Sequence, residues 1–216
     1  MSPSFDPITL ALVLALMALL PTVVVVTTSF LKITVVMALL RNALGVQQVP
    51  PNLALHGIAL ILTAYIMAPV GAHMYDRMTA SPETMSSVSS MVTAVREGAE
   101  PLREFMVRNS KPEQRDFFVR TAKRLWGPEL SAGMTDRDFM VLMPAFMVSE
   151  LTVAFQVGFL LYLPFVVIDL IVSNILLAMG MMMVSPVTIS LPLKLFLFVM
   201  LDGWSRLIQS LILSYV

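Results

Sequence analysis

The chain has 216 residues, of which 57% are hydrophobic and 13% charged, and its mean hydropathy is +0.84. Soluble domains carry about 25% charged residues, so this composition argues against an ordinary cytosolic enzyme. A formal net charge of zero offers no surplus for nucleic acid, and the lack of Cys excludes disulfides, thiolate metal sites and a Cys nucleophile.

The charges are unevenly placed. Ten Lys/Arg and ten Asp/Glu fall between Asp76 and Asp138, whereas the rest of the chain holds only Asp6, Lys32, Arg41, Glu150, Asp169, Lys194, Asp202 and Arg206. The pattern is that of a small integral membrane protein with one polar insert. It divides the chain into an N-terminal hydrophobic hairpin over 1–75, a polar helical insert over 76–138, and a C-terminal hydrophobic hairpin over 139–216. The predicted class is all-α: an integral membrane helical protein with two long hydrophobic helical hairpins.

Residues 1–7 contain no Lys or Arg ahead of the apolar run and no small-x-small cleavage site follows, so the first segment is expected to stay in the mature protein. Residues 7–31 are uncharged and long enough for a membrane helix, which needs about 20 residues. Pro21 followed by Val23, Val24, Val25 and Val26 predicts a bend near one end. Residues 41–52, with Gly45, Gln47, Gln48, Pro50 and Pro51, form a polar turn, and 53–75 make the second arm up to Asp76.

In the insert, Ser81, Pro82 and Glu83 supply an N-cap, a proline for the first helical position and an acid for the first turn. Val88, Met91, Val92 and Val95 keep helical spacing up to Gly98. Ser110 with Glu113 reads as a capping box for a second helix ending before Gly127-Pro128, and Thr135 with Asp138 as another ahead of Phe139. The second hydrophobic half folds at the turn running from Gly180 through Met181, Met182 and Met183 to Pro186, with arms near 151–179 and 187–201. Residues 204–216 form a short amphipathic tail, in which Trp204 and Tyr215 suit a membrane–water boundary. Lys32 and Arg41 draw the first loop to the cytoplasm, which puts the insert on the outer side.

Lys32, Glu150, Asp169 and Lys194 are ionisable groups in or near apolar arms, where each needs a partner or water. Asp169 lies 11 residues before Gly180 and Lys194 lies 8 after Pro186. In an antiparallel hairpin that is an offset of about three residues, or roughly 4.5 Å. The two can pair within one chain or with a neighbouring copy, as a static ion pair or as part of an ion or proton path. The methionines admit two readings as well. They are flexible packing filler, or, given several copies around an axis, a compliant ring across a pore.

His56 and His73 lack a nearby third ligand for a metal and are assigned to packing or the interface. No G-x-S-x-G, H-E-x-x-H or phosphate-loop string is present, and no cofactor is expected.

Several ordered strings resemble the FliP/SctR family. In the first half they include Thr28-Ser29-Phe30-Leu31-Lys32, Leu39-Leu40-Arg41-Asn42-Ala43-Leu44-Gly45 and Gln47-Gln48-Val49-Pro50-Pro51-Asn52. In the second they include Ser149-Glu150-Leu151, Leu163-Pro164-Phe165, Ile168-Asp169-Leu170, Gly180-Met181-Met182-Met183, Ile189-Ser190-Leu191-Pro192 and Asp202-Gly203-Trp204.

The resemblance implies a non-enzymatic core subunit of a type III secretion export apparatus in the bacterial inner membrane. Its members form a helical homo-oligomer, joined by S-type and T-type subunits and working with U-type and V-type subunits. Unfolded secreted proteins pass through the centre, and the family's hairpins lie shallower than hydropathy alone implies.

Carried onto this chain, the family's methionine gasket falls on Met181, Met182 and Met183. Its intramembrane charges fall on Glu150, Asp169 and Lys194, with Lys32 beside them, and are assigned to subunit contacts. The short N-terminal region favours the virulence branch over the flagellar one. The competing classes are a small ion or proton-coupled transporter built on the same charges and an intramembrane enzyme, for which no nucleophile and base are in place.

Overall fold

Apolar segments in a membrane must satisfy their peptide groups internally, and in this chain they do so as helices. The computed structural model describes residues 7–46, 49–79 and 88–216, and every regular element among these is an α-helix. Among the described residues, two helices are long and apolar enough to cross a membrane, and up to four spans result if two bent pairs are each counted as one.

The N-terminal run is divided. Helix α1, Pro7–Thr27, carries Pro21 inside it, and α2, Phe30–Leu44, leaves the last turns of α1 at 79°. The bend expected near one end of this run thus falls at Thr28 and Ser29. Its local cause is visible in the hydroxyls. Thr27 Oγ1 donates to Val23 O at 2.7 Å and Thr28 Oγ1 donates to Val24 O, bonds of the kind that bend a helix end.

Helix α2 is the structural centre. Ile33, Val36, Met37, Leu40, Ala43 and Leu44 recur at helical spacing and are all buried, against α7 on one side and α3, Asn52–Thr79, on the other. The hairpin is therefore made by α2 and α3, and Arg41 closes its turn by donating to Asn52 Oδ1. Lys32 lies in the first turn of α2 and Arg41 in its last turn, so of the two expected loop cations only Arg41 stands next to the loop.

The insert holds α4, Val88–Gly98, α5, Glu100–Arg108, and α6, Pro112–Leu130. The expected cap at Ser81, Pro82 and Glu83 lies outside the described residues. Helix α5 is an addition to the sequence reading. Its start is signed by Glu100 in the first turn and Pro101 near the N-terminus, directly after the end of α4. The Ser110–Glu113 capping box is not formed. Ser110 donates to Val107 O and accepts from Arg115, and Lys111, ahead of Pro112, takes the N-cap position of α6. The expected end before Gly127-Pro128 is a kink, where Gly127 adopts φ 74°, after which helix resumes to Leu130.

Asp138 Oδ2 accepts from Thr135 N at 2.7 Å, closing a turn ahead of α7, with Asp138 itself at the N-cap position. Helix α7, Phe139–Ala178, runs 40 residues through Pro144 and Pro164. It returns as α8, Pro186–Met200, and then turns by 61° into α9, Gly203–Leu213. One apolar core joins α2, α3, α7, α8 and α9. A second joins Phe105 and Met106 of α5 to Leu142 and Phe146 of α7 and to Tyr215.

Candidate functional site

The methionines occupy the tip of the α7–α8 hairpin. Helix α7 ends in a Schellman turn: Gly180 takes φ 75°, its N–H donates to Leu177 O at 3.0 Å, and Met181 N donates to Leu176 O at 2.9 Å. Ser185 and Pro186 then start α8, Pro186 at a helix start where no N–H is needed. The result is a short, hydrogen-bonded tip that projects its thioethers outward. Met182 is 80% exposed and Met183 fully so, with Met179 and Met181 also exposed. Within one chain these side chains are not core filler.

Below the tip, Lys194 Nζ donates to Asp169 Oδ2 at 2.6 Å, so this pair closes inside one chain and joins α7 to α8. The ammonium also reaches Ala43 O at 3.4 Å, a carbonyl in the last turn of α2 that lacks a helical donor. Lys194 thereby ties three helices together. The two partners differ in setting: the Lys194 side chain is 7% exposed and that of Asp169 is 42%, leaving one side of the carboxylate open to a neighbour.

Lys32 and Glu150 form a second pair, 118 residues apart, at 3.2 Å and almost wholly buried between α2 and α7. The Glu150 carboxylate receives a second donor, the hydroxyl of Tyr215, and Lys32 Nζ sits 3.6 Å from the centre of the Tyr215 ring. Burial first, and the Glu150 charge second, push the Tyr215 phenol above its ordinary value, so it stays protonated as a donor. The Tyr215 ring stacks on Phe105 of α5 at 5.7 Å. Next to Glu150, Ser149 Oγ accepts from Lys111 N at 2.9 Å and donates to Ala145 O. The insert is thus pinned to α7 at the same level as the buried charges.

Sequence reasoning places Tyr215 at the membrane boundary, and the structure instead buries it. No local signal marks it, because its partners come from three distant segments. Glu150 and Lys32 meet within the protomer, and Asp169 is the one charge of the four with substantial exposure. His56 is exposed, with its ring centre 6.3 Å from that of Phe30. Among the described residues, no three His, Asp or Glu side chains converge as a metal site requires.

Against known proteins, the FliP family model matches residues 13–211. The chain is 52% identical over 210 residues to Yop proteins translocation protein R of Yersinia pestis, covering 97% of each. It is 47% identical to harpin secretion protein HrcR of Erwinia amylovora, covering 98% of each. It is also 44% identical to virulence protein YscR of Salmonella typhimurium over the whole of both chains.

Proposed function

The chain belongs to the FliP family, and from that membership we propose that several copies of it assemble into the protein-conducting gate of a secretion system, sealed by their methionine tips. The chain is a component of the bacterial type III secretion export apparatus. Its relatives' names speak of translocation, secretion and virulence, which supports the injectisome branch over the flagellar one. Apolar helices and family membership together support residence in the inner membrane.

One observation carries the gate reading. A hydrogen-bonded turn holds Met181, Met182 and Met183 at a hairpin tip with no core of its own around them. Exposed, ordered methionines gain cover from equivalent tips around an axis. Their unbranched, polarizable chains can close against ions and deform when a polypeptide passes. The two buried ion pairs fit a structural part: both are closed by specific partners inside the protomer, which leaves them holding α2, α7 and α8 in the shape that assembly needs. Asp169, the exposed partner of its pair, is placed to act at the subunit contact itself, with Lys194 buried behind it.

The subunit has no catalytic step in this scheme. S-type and T-type subunits complete the gate, U-type and V-type subunits adjoin it, and unfolded substrate is the cargo. Arg41, in the last turn of α2 beside the α2–α3 turn, favours the cytoplasm for that turn, and hence the periplasmic side for the insert.

Replacing Met181, Met182 and Met183 together with Ala shortens each thioether and widens the seal. Cells carrying this variant are expected to leak small solutes while the assembly keeps its parent mass. A triple variant that assembles and stays as tight as the parent overturns the gasket.

A further inference from the structure

A groove of about 370 Å³ lies where α7, α8 and α9 meet, with Leu161 and Phe165 on one wall, Phe198 on the other and Leu207 at its back. Its surface is almost entirely hydrocarbon. The rim differs. Arg206 stands exposed there, and Ser210 places a hydroxyl one turn further along the same face of α9. Among the described residues Arg206 makes no ion pair, and Asp202 at the head of α9 does not bridge to it.

We propose that this groove holds one acyl chain of an anionic phospholipid, with the lipid phosphate on Arg206. Three features fix that occupant. A cation with no ion pair among the described residues, at the mouth of an apolar groove, matches an anionic head carried on an apolar chain, and a guanidinium binds phosphate through paired N–H donors. The size fits a flexible chain: a helix, about 10 Å across, covers such a groove but does not enter it. The depth fits as well. Trp204, in the first turn of α9, packs edge-on against Phe198 at 5.3 Å, and Trp is enriched where hydrocarbon meets headgroups. The bound chain fills the angle left by the 61° turn between α8 and α9.

The assignment needs only a bilayer around the chain and does not depend on the gate reading. Its test is native mass spectrometry of the full-length assembly in neutral detergent, with phosphatidylglycerol or phosphatidylcholine added. The mass of the assembly in the same spectrum reports separately on oligomerisation. The parent is expected to hold phosphatidylglycerol about tenfold more tightly than phosphatidylcholine. Arg206→Gln is expected to erase that preference. Leu201→Trp, which fills the groove from a half-exposed position, is expected to abolish retention of either lipid while the assembly stays intact. Equal retention of both lipids by the parent, or a preference that survives Arg206→Gln, overturns the proposal. So does a cross-link from Leu201→Cys to a protein neighbour, since a subunit then covers the groove.

Discussion

Lys32 and Glu150 are buried together, so neither can be removed alone without leaving a bare charge in an apolar setting. Lys32→Ala and Glu150→Ala are each expected to lower stability by about 3–5 kcal/mol, and the double variant by less than their sum. Unfolding of the detergent-solubilised chain measures all three, and additive losses contradict direct pairing. Tyr215→Phe keeps the stack on Phe105 and removes only the donor to Glu150, an expected loss of about 1.5–3 kcal/mol. At the other pair, Asp169→Ala leaves the Lys194 ammonium, among the described residues, with only the Ala43 carbonyl. It is expected to weaken assembly more than Asp169→Ala with Lys194→Ala, as read by the oligomer fraction in size-exclusion chromatography. Asp169 and Lys194 were legible as partners because they flank one turn at matched distance. Lys32, Glu150 and Tyr215 were not, because their meeting depends on how α2, α7 and the C-terminal segment pack, which no local pattern encodes.

Among the elements, the α7–α8 hairpin was readable because its stop is chemical. Gly180 supplies the left-handed residue of a Schellman turn, and Pro186 starts a helix that cannot extend backwards. Gly180→Ala meets no neighbouring atom, so its cost is conformational alone, about 1–2 kcal/mol, and a shift in thermal unfolding midpoint reports it. Gly158 has the opposite character. A Cβ there would lie 2.2 Å from Leu39 Cδ1 and 3.1 Å from Leu39 Cβ, so this glycine lets α7 and α2 approach. Gly158→Val is expected to push the two helices apart at a cost of about 1–3 kcal/mol in the same measurement, and an unchanged midpoint would show that α2 can shift freely. The bend near the end of the first apolar run was legible, but its position was not, because Thr27 and Thr28 act through hydroxyl bonds to carbonyls one turn back. The Ser110 capping box failed for a related reason: a hydroxyl has several possible backbone partners, and Arg115 holds this one elsewhere.

For the molecule as a whole, the outer faces of α7 and α8 remain apolar after folding, with Phe155, Phe159, Leu160, Phe196 and Val199 all more than half exposed. Such surface is covered by lipid, by other subunits, or by both. The methionine tip gains a function only when copies bring several tips to one axis, so the central claim is about assembly. The most direct test is the native mass of the detergent-extracted protein, alone and coexpressed with its genetic neighbours. A discrete multimer that gains smaller hydrophobic subunits on coexpression is the predicted result. A stable monomer under both conditions would contradict the account, because it removes the axis on which Met181, Met182 and Met183 are placed.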